Sequence, residues 1–560
     1  MNARRRNQCH HADRMPSRRQ VLGLAAAGGA AWILQGCAHK DRVCADNRIT
    51  RPNTMRPNIL ILHADQMRFD ALGCNGNRHA RTPNLDALAA EGTVFTRHFA
   101  ANPVCTPSRA TLFSGLYVPG HGIWRNGIPL PRRDDYGPAA LRNWPMPGHM
   151  ELTKTPVLMP DLFAAAGYDT LSLGKLHFTP FRAPREYGFG ECTRLMYDGA
   201  LSDWHGPYYG FRHVEMTCGH GEEPCRGGHY ADWLRANHPD VYARANSTKP
   251  PEAYPLPGRK NIWASPVPAD LHNSIWLADR FADYLTKRKA EAPPFFAFVG
   301  FPDPHHAFAP SFDLVEQFAN AEVPEPADPE GEAWPEPEER QRLASHCLRS
   351  LTPEQRRVYI RYTYAMVHNI DRAVGRIVAA LKASNCWDNT IIVFTSDHGD
   401  FLCDHALLLK AQFGSRSLLH VPFVLRAPGA GLPARTATPM SNCDVLPTLA
   451  ALAGLHAPGD IHGCDIVPIV RDRRDHVALA HCYTGEAARN NCTIHDARYR
   501  LTCYPATGRI ELYDQQQDPG EVCNLAGTRA VADVQEHLRR LLVERTFSLS
   551  NPTLGRLAQW

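Results

Sequence analysis

Cys105, Thr106, Pro107, Ser108 and Arg109 concentrate more reactive chemistry than any other stretch of this 560-residue chain. Pro107 fits the first turn of a helix, where its missing N–H costs nothing, and the run from Ala110 to Ser114 can continue that helix. Cys105 then sits at a helix N-terminus, where free N–H groups and the macrodipole favour an anion. Arg109, four residues on, projects from the same face with a permanent charge. A sulfur, a fixed cation and a helix N-terminus converge, and together they suit a bound oxyanion such as sulfate or phosphate. Other ionisable groups stand at the ends of apolar runs: Asp65, the pair Lys175 and His177, the pair His305 and His306, and the pair Asp397 and His398.

Those runs are the elements that must position the chemistry. Residues 56–66, 294–301 and 390–399 are continuously apolar before their polar ends and read as buried parallel strands. A carboxylate at the carboxyl end of such a strand is where open α/β sheets place ligands. Tyr168 to His177 reads as a further strand, with Lys175 and His177 alternating onto one face. Helices are expected over Thr82–Gly92, Thr155–Gly167, Leu271–Lys287, Tyr364–Ala383 and Asp444–Gly454. Short strands are expected near Val477–Tyr483 and Tyr499–Tyr504. The fold class is α/β: a large mixed, mostly parallel sheet with helices on both faces, plus a small antiparallel C-terminal subdomain. Residues 180–265 are rich in Pro, Gly, His and aromatics; they read as an irregular insertion that sets substrate choice, with Cys218-Gly-His-Gly-Glu222 standing out. Residues 320–340 are acidic and Pro-rich and read as an exposed loop.

The net charge of +4 is misleading, because the first 36 residues carry six arginines against Asp13 and leave the remainder near neutrality. No basic surface argues for nucleic acid. Seventeen cysteines are too sparse for a disulfide scaffold, and their pairing is not legible. Arg18 and Arg19 precede a modest apolar run ending at Leu34, which reads as a twin-arginine export signal. Leu34-Gln-Gly-Cys37 resembles a bacterial lipobox, with Cys37 as the lipidated residue. The expected organisation is a signal over 1–37, a linker over 38–55, a catalytic domain over 56–470 and a C-terminal subdomain and tail over 471–560. The expected location is the periplasm, or a bacterial membrane through Cys37.

Cys105-Thr-Pro-Ser-Arg-Ala-Thr-Leu-Phe-Ser-Gly115 resembles, over its full length, the signature of the type I, formylglycine-dependent sulfatases of the alkaline phosphatase-like superfamily. Separated motifs extend the resemblance over about residues 56–530. It implies that a formylglycine-generating enzyme oxidises Cys105 to an aldehyde, whose hydrate attacks sulfur, with Arg109 beside it. It implies one divalent cation on Asp65, Cys105, Asp397 and His398, calcium before manganese or magnesium. Gln66 stands where relatives carry a second acidic residue, so its place as a ligand is open. Gly174-Lys-Leu-His177 implies that Lys175 and His177 contact the sulfate. Pro304-His-His-Ala-Phe308 selects His305 to protonate the leaving alcohol. Asp404-His-Ala-Leu-Leu-Leu-Lys410 implies substrate contacts from His405 and Lys410. The implied activity is hydrolysis of an organic sulfate ester of a carbohydrate, aryl or alkyl alcohol. A phosphonate or phosphate diester hydrolase of the same superfamily is the alternative. A catalytically dead glycan-binding protein is a third reading, opposed by the intact set of Cys105, Arg109, Lys175, His177, Asp397 and Lys410.

Overall fold

In a computed structural model, residues 56–132, 135–141, 156–248, 254–289, 291–327, 348 and 350–549 are described. The expected signal, the linker, Cys37 and most of the acidic Pro-rich loop lie outside the described residues.

Fourteen strands order the chain: β1 (Asn58–Ala64), β2 (Thr93–Phe95), β3 (His98–Phe99), β4 (Asp169–Gly174), β5 (His213–Glu215), β6 (Phe295–Gly300), β7 (Thr390–Ser396), β8 (Phe423–Arg426), β9 (Arg435–Thr436), β10 (Met440–Ser441), β11 (Ala478–Cys482), β12 (Asn491–His495), β13 (Tyr499–Tyr504) and β14 (Arg509–Asp514). Eight of them form one sheet in the order β5-β4-β6-β1-β7-β8-β2-β9. β1 lies centrally and pairs in parallel with β6 and β7, with Ile61 opposite both Phe298 and Val393. β8 runs antiparallel to β7 and β2, so the sheet is mixed and mostly parallel.

Seven helices matter for the site: α1 (Pro83–Ala90), α2 (Cys105–Ser114), α3 (Met159–Ala165), α4 (Asn273–Thr286), α5 (Pro353–Ala383), α6 (Val445–Leu452) and α7 (Ala532–Ser548). Alternation along β1 assigns them to layers. Ile59 and Ile61 pack into a core with Leu112 and Phe113 of α2, Phe163 of α3 and Leu449 of α6. Leu60 and Leu62 pack on the other face with Leu85 of α1, Leu277 of α4 and Val374 of α5. The sheet is buried on both faces, which is why its strands read as unbroken apolar runs.

β11-β12-β13-β14 form a separate antiparallel sheet with α7 against it, Leu538 and Leu542 meeting Ile494, Leu501 and Leu512. This sheet is fastened to the loop before β8. Buried Glu521 accepts from Arg500 Nε at 2.7 Å, from Gln515 Nε2 at 2.8 Å and from the Arg416 backbone N–H at 2.8 Å. Glu521→Ala leaves the buried Arg500 guanidinium only Glu511 and Thr502 and is expected to cost about 1–3 kcal/mol in chemical denaturation. The double variant R500M/E521L should lose less than the single one. An unchanged unfolding midpoint for Glu521→Ala would show that the pair carries no stability.

Three expected boundaries move. The helix expected from Thr155 starts at Met159, where Pro160 can occupy its first turn. α5 begins eleven residues before Tyr364; Thr352 and Gln355 cap it reciprocally, a start signal placed ahead of a charged first turn. β4 ends at Gly174, so Lys175 and His177 do not share a strand face as expected. Gly174 and Gly300 close the ends of β4 and β6 on each other: a Cβ at Gly174 would stand 2.2 Å from the Gly300 carbonyl oxygen, and one at Gly300 would stand 2.2 Å from that of Lys175.

Candidate active site

Neighbouring strands β4, β6, β1 and β7 deliver Lys175, His305, Asp65 and Asp397–His398 from their carboxyl ends to one place. Helix α2 brings Cys105 and Arg109 to the same point, and Gly115 ends it in the left-handed conformation, at φ 66°. All ten α2 residues are buried.

Arg109 is fully buried and ties the group together. Its Nε donates to Asp397 Oδ2 at 2.8 Å, its Nη2 to Asp65 Oδ2 at 3.2 Å and its Nη1 to the Lys175 carbonyl at 3.0 Å. Lys175 Nζ donates to Asp65 Oδ2 and meets His220 Nε2. Asp397 Oδ1 accepts the backbone N–H groups of Gln66 at 3.0 Å and His398 at 2.9 Å. Burial alone would push Asp65 up, but Lys175 and Arg109 hold it well below the usual carboxylate range. Burial and Asp65 likewise oppose ionisation of Asp397, yet His398 and Arg109 bring it to about 2. Two ionised carboxylates therefore stand side by side with no solvent exposure.

Four donors, from Asp65, Cys105, Asp397 and His398, lie within 4.8 Å of one another. His398 Nδ1 pairs with the Gly399 carbonyl at 2.8 Å, which turns the lone pair of Nε2 inward. That Nε2 lies 3.2 Å from Cys105 Sγ and 3.7 Å from an oxygen of each aspartate. Burial, partly offset by Asp397, lowers His398 to about 4, so the imidazole is neutral as a ligand requires. Carboxylate oxygens with one imidazole suit calcium, magnesium or manganese. The Gln66 amide is committed elsewhere: Nε2 donates to Asp400, while Oε1 accepts from Lys410 Nζ at 2.8 Å and faces His306 Nδ1 at 3.2 Å.

Lys410 Nζ also reaches His305 Nε2 at 2.5 Å, and His305 Nδ1 pairs with the His306 carbonyl. Burial, then His220, His306 and Lys410, hold His305 well below its ordinary value. His177 stands beside Cys105 and lies flat on Phe181, with 4.0 Å between ring centroids. Burial and Asp65 push the Cys105 thiol up, but Lys410 and Lys175 outweigh them and lower it. His405 sits at φ 55°, edge-on to Phe401 with centroids 6.4 Å apart, and its N–H donates to the Ala327 carbonyl.

Two residues at the site escape sequence reasoning. His220, inside the Cys218–Glu222 run, stacks on His305 with 3.6 Å between centroids and pairs with Lys175. Glu191 accepts the backbone N–H groups of His177, Phe178 and Thr179 and the Tyr208 hydroxyl. That carboxylate folds the loop bearing His177, fourteen residues away in sequence. The Gly-His-Gly spacing around His220 was the one legible signal.

The family model described as Sulfatase matches residues 57–455. A second, described as N-sulphoglucosamine sulphohydrolase, C-terminal, matches residues 405–547. The chain is 26% identical to an arylsulfatase of Clostridium perfringens over 88% of this chain and 94% of that protein. It is 25% identical to an N-acetylglucosamine-6-O-sulfatase of Bacteroides thetaiotaomicron over 94% of this chain and 92% of that one. Among solved structures, the phosphonate monoester hydrolase of Agrobacterium radiobacter superposes with a TM-score of 0.67 at 27% identity, over 89% of this chain and 97% of that chain.

Proposed function

The chain belongs to the sulfatase family and is a sulfuric ester hydrolase, and we propose that it cleaves the sulfate ester of a carbohydrate, aryl or alkyl alcohol at the Cys105 site. The observation that carries this reading is the convergence of Arg109, Lys175 and Lys410 on Cys105 at a buried helix N-terminus. Formylglycine made from Cys105 would supply a hydrated aldehyde, one hydroxyl attacking sulfur and the other allowing collapse with release of sulfate. A divalent cation on Asp65, Asp397, His398 and the modified residue would supply Lewis-acid polarisation of a sulfate oxygen.

The chain's own residues do the remainder. Arg109 keeps both carboxylates ionised and aligned. Lys175 and Lys410 offer ammonium groups to the free sulfate oxygens. In the resting site His305 Nε2 accepts from Lys410, so His305 fixes the Lys410 ammonium, and the pair supplies the proton for the leaving oxygen. His177, beside residue 105, is placed to take the proton of the second hydroxyl.

The likeness to a phosphonate monoester hydrolase supports a second reading, an ester hydrolase acting on phosphorus. A diester brings a second substituent that needs open space where Lys175 and Lys410 stand. A panel of sulfate monoesters and phosphate and phosphonate esters decides between them. We expect preference for a sulfate monoester, and Lys175→Ala and Lys410→Ala should each lower kcat/KM by roughly ten- to a thousandfold, the loss of one charge-assisted contact. Preference for a phosphate diester that survives both substitutions overturns the sulfatase reading.

Export and anchoring are proposed on Arg18, Arg19 and the Leu34–Cys37 run. Cys37→Ser should release the protein from the membrane fraction into the soluble one. Unchanged membrane fractionation would refute lipidation at that residue.

A further inference from the structure

Away from the catalytic centre, three segments bring a thiol, an imidazole and a carboxylate together. Asp444 immediately precedes α6, Cys464 follows in the loop after that helix, and His476 lies in the connection to β11. Cys464 Sγ stands 3.6 Å from Asp444 Oδ1 and 3.8 Å from His476 Nε2, and that Nε2 is 3.4 Å from Asp444 Oδ2. Tetrahedral zinc, with sulfur near 2.3 Å and nitrogen or oxygen near 2.05 Å, separates sulfur from either by about 3.6 Å and nitrogen from oxygen by about 3.3 Å. The two sulfur separations match those edges to within about 0.2 Å; the imidazole meets the other carboxylate oxygen, Oδ2, so a small turn of the Asp444 carboxylate would present one oxygen to both.

We propose that Asp444, Cys464 and His476 form a second cation site, for zinc or a cation of its class, with its fourth position open to water. It is independent of the reaction proposed above. The donor set is mixed sulfur, nitrogen and oxygen, which selects zinc over the hard cations suited to the catalytic group. Asp444 also accepts the Ser441 and Cys464 N–H groups, at 2.9 and 3.0 Å; a capping carboxylate needs only those, and neither a thiol nor an imidazole. The Cys464 approach is built in: a Cβ at Gly463 would stand 1.9 Å from the Cys443 carbonyl oxygen, so only glycine lets this loop lie against the start of α6. Asp444 is buried, while Cys464 and His476 are partly exposed, which gives an ion a way in. On binding, the Cys464 thiol gives its proton to solvent and ligates as thiolate. The ion would clip three segments that are otherwise separate loops. Asn442, beside this site, donates to Ser108 Oγ in α2 at 2.8 Å, so the clip braces the helix that carries Cys105.

The test uses the full chain with Cys105→Ala as background, which removes the only thiol of the catalytic group. Cobalt(II) added to that protein should produce a near-ultraviolet thiolate-to-cobalt charge-transfer band at one equivalent, displaced by zinc. Zinc should also raise its melting temperature. Both effects should vanish in C105A/C464S and weaken in C105A/H476A. Absence of the band in the Cys105→Ala protein, or its persistence at full strength in C105A/C464S, overturns the proposal. Cys464→Ser is isosteric at a partly exposed position, and a native circular dichroism spectrum separates loss of the ion from loss of the fold.

Discussion

Cys105→Ala is expected to lower kcat/KM on a sulfate ester by about 10⁴-fold or more, which is about 5 kcal/mol of transition-state stabilisation. No neighbour can replace the nucleophile. Asp65 and Asp397 are locked onto Arg109, and His398 turns its one free lone pair toward the cation donors. The fold should survive, since the change deletes one sulfur from a buried helix start. In the wild type, mass spectrometry of the peptide carrying Cys105 should show the thiol replaced by an aldehyde. The structure makes the alternative concrete: Lys410 and Lys175 lower the Cys105 thiol, so an unmodified thiolate could itself attack. An active enzyme whose peptide retains the thiol, and which alkylation kills, would replace formylglycine with a cysteine nucleophile.

Most of the scaffold was legible because strands buried on both faces leave one unmistakable mark. β1, β6 and β7 are continuous apolar runs, and each stops where a polar group enters the site. The helix start at Cys105 was legible for a local reason, the proline in its first turn. What failed to show was everything decided between distant segments. Lys175 and His177 look like strand residues two apart, yet Glu191 captures the N–H groups of residues 177–179 and pulls them into a loop. His220 lies in a stretch with neither helical nor strand periodicity, so nothing local links it to Lys175 or His305. The first eleven residues of α5 were hidden by Glu354, Arg356, Arg357 and Arg361, whose charged side chains blur the apolar period. Gln66 departs from an acidic pattern, and only the structure gives the departure a purpose: its amide holds Lys410.

The metal reading is tested at Asp397, and the geometry decides which substitution to make. Alanine there would leave Arg109 buried with one of its two carboxylates gone and would strand the Gln66 and His398 N–H groups, mixing a folding defect with a catalytic one. Asparagine keeps the volume and one oxygen for those two N–H groups and removes the charge; it costs Arg109 its Nε acceptor but leaves it Asp65 and the Lys175 carbonyl. Asp397→Asn is therefore expected to fold, and to lose about 10³-fold or more in kcat/KM because one anionic ligand of the proposed cation is gone. Its second effect is independent of turnover. An ion that binds the native state alone stabilises it in proportion to the logarithm of its excess over Kd. Calcium or manganese should thus raise the melting temperature of the wild type, and do so far less in Asp397→Asn. Removing the ion from the wild type should abolish activity, and restoring it should bring activity back. Full turnover by Asp397→Asn, or by the wild type after exhaustive chelation, would remove the cation from the reaction and leave Arg109, Lys175 and Lys410 to neutralise the sulfate unaided.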